Sequence, residues 1–204
     1  LVGSEMCIET APDKQHFFLE RTHSQIVRLS DLIRDIALIT KTEEASELFD
    51  KEQVNVHNTL QEVINDLHSP IVAHGINVKN EINPQTVIEG NKTLVYAIFR
   101  NLIENSINYA GDHISIGVNN YMEDKEFYYF SYYDTGQGIE ENHLNRIFER
   151  FYRVCEGRSR QNGGSGLGLS IVKNAVLFHK GDISAKNKKD GGLEFLFSLK
   201  KTLF

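Results

Sequence analysis

Cysteine is scarce: the 204-residue chain holds only Cys7 and Cys155, far apart and in no metal-like spacing. That pattern suits a reducing compartment and offers no zinc framework, although two cysteines leave a single disulfide open. No run is apolar for the length a bilayer core demands, and the opening LVGSEM has no signal-peptide pattern. Strongly basic stretches are missing too. With Lys+Arg 22 against Asp+Glu 28 the formal net charge is -6, which argues against a nucleic-acid partner. The short run Lys186 to Lys189, broken by Asn187, reads as a solvated turn. Internal repeats and low-complexity segments are also absent. What is there is an ordinary globular composition, 40% hydrophobic and 25% charged, enough for one substantial domain and a smaller appendage.

The appendage comes first. Lys14 to Thr42 read as a helix, because Ile26, Leu29, Ile33 and Ile36 recur at alternating three- and four-residue spacing. Leu32 and Ile39 widen this stripe, and Phe18 extends it upstream. The period is that of a coiled-coil seam, so the helix calls for a partner helix, although packing on its own domain is the alternative. Val2 to Thr10 are expected to be the end of that partner, with Ala11-Pro12-Asp13 turning the chain back. The acidic stretch Glu43 to Gln53 reads as a linker, which divides the chain into 1–45 and 46–204.

Beyond the linker the pattern becomes mixed. Strands are expected at Val54 to Val56, Ile76 to Ile82, Val87 to Glu89, Ile114 to Val118, Phe127 to Tyr133, Ile183 to Lys186 and Leu193 to Leu199. The polar segment Asn119 to Lys125 is expected to join two of these. Helices are expected at Asn58 to Ala73, Leu94 to Tyr109, Glu141 to Phe148 and Gly168 to His179. In Leu94 to Tyr109, the residues Leu94, Ala97, Ile98, Leu102, Ile103 and Ile107 should face a core. This order predicts an α+β fold, a two-layer sandwich with a mixed sheet covered by helices on one face.

Four segments carry chemistry. Asn101, Asn105 and Asn108 share one helical face, where asparagine is a modest helix former. Such a face is either a polar exterior or a set of neutral oxygen donors suited to Mg2+. The run Asp134-Thr135-Gly136-Gln137-Gly138-Ile139 follows an apolar strand. Either the run is a plain strand-to-helix turn, or its carboxylate accepts a bond from an exocyclic amine while glycines let a flat ligand approach the backbone. Ile147-Phe148-Glu149-Arg150-Phe151-Tyr152-Arg153 sets two phenylalanines, expected as core anchors, beside two arginines that are either solvated surface groups or able to grip phosphate. Finally, Gly163-Gly164-Ser165-Gly166-Leu167-Gly168 opens a helix, either as a plain flexible linker or as a loop offering free amides and a positive dipole end to phosphates. It is not a Walker loop, because no Gly-Lys-Ser/Thr closes it.

In this order, an Asn-rich helix, DTGQGI, IFERFYR and GGSGLGLSIVK, the motifs resemble the nucleotide-binding boxes of the GHKL ATPase superfamily. The likeness is nearest to the sensor histidine kinases of two-component systems and runs from about Val54 to the end. The upstream RLSDLIRDIALITKTEEA resembles the second helix of that family's dimerisation and phosphoacceptor hairpin. The resemblance implies a Bergerat ATP-binding fold, ATP and Mg2+ as ligands, a homodimer through the hairpin, and a response regulator receiver domain as partner. It also implies a cytoplasmic location, in a bacterial inner-membrane sensor.

Residue by residue, the resemblance implies Asn105 as the Mg2+ ligand and Asn101 beside the phosphates. Asp134 would take the adenine amine, with Gly136, Gly138, Ile139 and Tyr109 forming the base pocket. Arg153 would reach the terminal phosphate or the phosphoacceptor helix, so that Asn101, Asn105 and Arg153 act on the phosphoryl group. Val154 to Gly164 would be the ATP lid, and Gly164, Ser165, Gly166, Leu167 and Gly168 would cradle the phosphates. Two departures stand out. Asn108 occupies a position that is usually basic in the family, so a phosphate contact is lost or supplied by Arg150 or Arg153. Asn101 stands where the ATPase branches place a water-activating glutamate, and an amide cannot act as a general base. The family's acceptor, a histidine followed by an acidic residue and soon a proline, has no counterpart here. His16 precedes Phe17, His23 precedes Ser24, and His68-Ser69-Pro70 falls within the catalytic region. The acceptor is therefore expected upstream of Leu1. The reading that follows is transfer of the ATP γ-phosphoryl to histidine, with a degenerate dimeric scaffold as the alternative and an ATP-driven clamp, which Asn101 and the upstream hairpin weigh against, as a third.

Overall fold

The computed structural model describes residues 12–44, 49–154 and 165–202. The expected partner-helix end at Val2 to Thr10, and residues 155–164 with Gly164, lie outside the described residues. The chain divides into two units, Leu1–Leu38 and Ile39–Phe204.

Helix α1 spans Pro12–Glu44. It opens at Pro12 rather than Lys14, because a proline's fixed φ and missing N–H suit a first helical turn. Phe18, Ile26, Leu29, Ile33 and Ile36 are all exposed, so the seam-like stripe stands open. In the second unit, Ile39 is buried, and Lys41 Nζ lies 4.6 Å from the Phe49 ring centroid. Phe49 packs edge-on against Phe178 at 5.3 Å.

The rest of the second unit runs β1 (Glu52–Asn55), α2 (Val56–Asp66), α3 (His68–Ala73), β2 (Asn77–Glu81), β3 (Val87–Gly90) and α4 (Lys92–Tyr109). It continues with β4 (Ser115–Glu123), β5 (Phe127–Asp134), α5 (Glu141–Leu144), α6 (Gly168–Phe178), β6 (Ile183–Asn187) and β7 (Leu193–Lys200). Strands β1 and β3 pair antiparallel, and a five-stranded sheet has the order β2-β4-β5-β7-β6. Only β2 and β4 pair parallel within it, so the sheet is mixed, as the element order predicts.

Strand alternation builds the core. Ile116 and Val118 on β4, Phe130 and Tyr132 on β5, and Phe195 and Phe197 on β7 are all buried, in step with the period of two. Phe99 of α4 packs edge-on against Phe197, with ring centroids 6.2 Å apart. The six core positions expected on α4 are buried, and Val95 and Phe99 join them.

Three elements depart from the sequence reading. The expected helix 58–73 breaks at Leu67 into α2 and α3. Pro70, which cannot donate to the preceding turn, sits in the first turn of the second piece. Strand β4 runs on through polar Asn119 to Glu123, since pairing with Phe130, Tyr129 and Tyr128 across a bulge at Asn120/Met122 satisfies its backbone. Helix α5 stops at Leu144, and the chain reaches buried Ile147 through turns instead.

Candidate functional site

Helix α4 is the frame on which the motifs meet. Its N-cap Asn91 accepts from the Leu94 amide at 3.1 Å, and its apolar residues fix its rotation on the sheet. Asn101 and Asn105 are consequently half-buried and Asn108 exposed. Asn101 Nδ2 donates to Ala97 O at 2.8 Å and Asn108 Nδ2 to Glu104 O at 2.7 Å. Both bonds return to the preceding turn, which makes asparagine tolerable in mid-helix. A Cβ placed on Gly168 would lie 2.8 Å from Asn101 Oδ1. The glycine-rich start of α6 therefore abuts the asparagine face, and any side chain at Gly168 would push into it.

Asp134 ends β5 and is 3% exposed. Its Oδ1 accepts from the Gly136 amide at 2.9 Å and the Leu193 amide at 3.3 Å. Its Oδ2 accepts from Ser106 Oγ of α4 at 3.1 Å. The buried Tyr132 hydroxyl lies 2.9 Å from Ser106 Oγ and 2.9 Å from Leu102 O. Burial pushes the Tyr132 phenol far above its ordinary range, so it stays protonated. Among the described residues three protein donors thus hold the carboxylate, which has room for about one more.

The DTGQGI loop lies between α4 and the β6–β7 hairpin. A Cβ on Gly136 would collide with Ala110, the C-cap of α4. Gly138 has φ +68, in the left-handed region that favours glycine. Ile139 N donates to Asn187 Oδ1 at 3.0 Å, and Asn187 Nδ2 donates back to Ile139 O at 2.7 Å. Gln137 Nε2 reaches the carbonyl of half-exposed Tyr109 at 3.4 Å.

Phe148 packs on Phe195 at 6.2 Å, in keeping with an anchoring role. Phe151 does not: it is 62% exposed with φ 63. Its backbone acts instead, the Phe151 amide donating to Gly166 O at 2.8 Å. Gly166 has φ +74, and a Cβ there would lie 2.9 Å from the Phe151 backbone. His143 Nδ1 and the Tyr152 hydroxyl, 2.6 Å apart, tie this segment to α5. Arg153 is half-buried and Arg150 exposed. Within the glycine-rich turn the Leu167 amide donates to Ser165 Oγ at 3.1 Å, and the Leu167 side chain is buried.

The fold therefore joins the Asn-rich helix to the Gly166–Gly168 turn, to Asp134 and, at its end, to Gly136. Ser106, Tyr132 and Asn187 went unrecognised as site residues in the sequence. Ser106 carried a signal, being the one polar residue on the buried side of α4, four positions after Leu102. Asn187 carries none, because the basic run around it reads as a solvated turn although it ends β6.

Residues 90–203 match the family model of the histidine kinase-, DNA gyrase B- and HSP90-like ATPases. The chain belongs to that ATPase family. Among its relatives, the phosphate regulon sensor protein PhoR of Pseudomonas aeruginosa is 29% identical over 177 residues, covering 87% of this chain and 40% of PhoR. The sensor histidine kinase WalK of Bacillus subtilis is 30% identical over 186 residues, covering 89% of this chain and 30% of WalK. The chain thus spans well under half the length of these relatives. Among solved structures, the catalytic domain of histidine kinase ThkA superposes with a TM-score of 0.66 at 24% identity, over 76% of this chain and 97% of that one. ThkA in complex with response regulator protein TrrA gives 0.72 at 21% identity, over 95% of this chain and 53% of that one. The fold is that of the histidine kinase catalytic domains.

Proposed function

We propose that this chain is the ATP-binding catalytic part of a sensor histidine kinase, which places ATP for transfer of its γ-phosphoryl to a histidine. The observation that carries this reading is the junction on α4. Asp134 is braced to one part of the helix through Ser106, and the α6 N-terminus abuts Asn101 one turn away. Asp134 takes the adenine amine, between Gly136, Gly138, Ile139 and Tyr109. The amides of Gly164, Ser165, Gly166, Leu167 and Gly168 take the phosphates at the positive end of the α6 dipole. For this the Leu167 amide exchanges its bond to Ser165 Oγ for a phosphate oxygen. Arg153 reaches toward the terminal phosphate.

Asn105 would supply an amide oxygen to Mg2+, which suits a hard cation that otherwise keeps water and phosphate oxygens. When bound, Mg2+ neutralises charge on the phosphate oxygens. Asn101 cannot deprotonate water, which favours transfer over hydrolysis. In the transfer, a histidine nitrogen attacks the γ-phosphorus in line, the bond to the β,γ-bridging oxygen breaks, and ADP leaves. The protein's contribution is placement and charge neutralisation.

The exposed stripe of α1, Phe18 to Ile36, supports dimerisation through a helical hairpin. The response regulator bound to ThkA supports a receiver-domain aspartate as the next acceptor. Among the described residues no helix is long and apolar enough to cross a membrane. Likeness to sensor histidine kinases supports a place on the cytoplasmic side of a membrane sensor. The test is incubation of the full-length protein with γ-labelled ATP. Acid-labile, alkali-stable phosphate on the protein supports the kinase reading. Nucleotide binding with no such label supports the degenerate scaffold, and steady phosphate release supports an ATPase clamp.

A further inference from the structure

We infer that Ser106 and Tyr132 form a positioning relay that fixes the Asp134 carboxylate and sets the preference for a purine bearing an amino group. The inference rests on the adenine reading of Asp134. The three side chains are 1%, 0% and 3% exposed respectively, so bulk water does not compete for their hydrogen bonds.

Proton counting gives the relay its direction. Two hydroxyl protons are available, from Ser106 and Tyr132, against three close contacts: Tyr132 to Leu102 O, Tyr132 to Ser106, and Ser106 to Asp134. Leu102 O lies inside α4, where helical geometry already gives it an amide donor. Asp134 Oδ2 has no other protein donor among the described residues. The Ser106 proton therefore goes to Asp134 Oδ2, and the Tyr132 hydroxyl shares its one proton between Leu102 O and Ser106 Oγ. Each hydroxyl then donates once, and the serine oxygen both donates and accepts.

The two carboxylate oxygens are held differently. Oδ1 is fixed by two backbone amides, from Gly136 and Leu193. Oδ2 depends on Ser106 alone, and it is the oxygen with acceptor capacity to spare. Without the serine hydroxyl, Oδ2 has no protein donor and the carboxyl can twist about its Oδ1 anchor. A ligand amine then meets a less fixed acceptor, whereas contacts to the ribose and phosphates are unaffected. Tyr132 acts one step back. Its ring is set by packing edge-on to Phe195 at 6.1 Å, so removing the hydroxyl alone leaves the ring in place.

The experiment measures calorimetric affinities of ADP and of purine riboside diphosphate, which lacks the 6-amino group, for each variant. Wild type is expected to prefer ADP by about tenfold or more, as for a bond to a charged group. Ser106→Ala should weaken ADP by about three- to tenfold and leave the desamino ligand unchanged, so that most of the preference disappears. Ser106→Thr, which keeps the hydroxyl, should restore the preference, and Tyr132→Phe should give a smaller loss in the same ratio. Because the ratio is taken within each variant, a partly unfolded sample does not mimic the effect. A Ser106→Ala protein that weakens on both ligands equally, or keeps the wild-type ratio, overturns the relay while leaving the adenine site standing. A wild type that does not distinguish the two ligands overturns the adenine reading, and the relay with it.

Discussion

Acidification should destabilise this protein through one buried imidazole. His179 caps the C-terminus of α6 and is 0% exposed. Its Nδ1 lies 2.7 Å from Ala175 O, which can only accept, so Nδ1 carries the proton. Its Nε2 accepts from the Asn91 amide at 3.2 Å, which ties the end of α6 to the N-cap of α4. Protonation would set a second N–H against that amide and leave a charge in the core. Burial accordingly lowers the His179 pKa from 6.5 to about 4. The sign follows from proton linkage. Below pH 6.5 the unfolded chain binds a proton that the folded protein refuses, so the contribution is complete above pH 6.5. It is lost progressively as the pH falls toward 4. At about 1.36 kcal/mol per pH unit, the whole effect is about 3 kcal/mol, with about 2 kcal/mol gone by pH 5. Urea unfolding between pH 4.5 and 7.5 should show this loss in wild type. In His179→Gln the pH slope should be shallower by up to one proton across the same window. Equal slopes in the two proteins, or a native-state imidazole titrating near 6.5 by NMR, would refute the argument.

Three substitutions probe the site. Asp134→Asn removes a charged acceptor and should weaken adenine nucleotides by about ten- to a hundredfold in a calorimetric titration, while inorganic triphosphate is unaffected. Asn187→Ala loses both bonds to Ile139 and should cost about 1–2 kcal/mol in chemical unfolding, with weaker nucleotide binding because the DTGQGI loop loses its brace. Gly138→Ala puts a Cβ at φ +68 and 2.6 Å from Asn187 Oδ1, so a melting temperature lowered by several degrees is expected. An unchanged melting temperature would mean that the loop relaxes freely.

The fold was legible wherever burial followed a simple period. Helix α4 shows its core face as Leu94, Ile98 and Leu102, and β7 shows Leu193, Phe195 and Phe197 alternating with Glu194 and Leu196. Legibility failed where pairing or packing overrode local composition. The second half of β4 is polar because its residues are largely solvent-exposed, yet its ladder to β5 makes it strand. Phe151 looks like core but is exposed, because its backbone, not its ring, holds the glycine-rich turn. Within the site, glycines and a strand-end aspartate announce themselves through residue type. Ser106, Tyr132 and Asn187 act across elements distant in sequence, and no local spacing encodes such contacts.

The most direct test of the central claim is a calorimetric titration of this chain with a non-hydrolysable ATP analogue, with and without Mg2+. Saturable binding that strengthens with Mg2+ and falls in Asn105→Ala is the predicted result. A folded sample that binds nothing at millimolar ligand would contradict it.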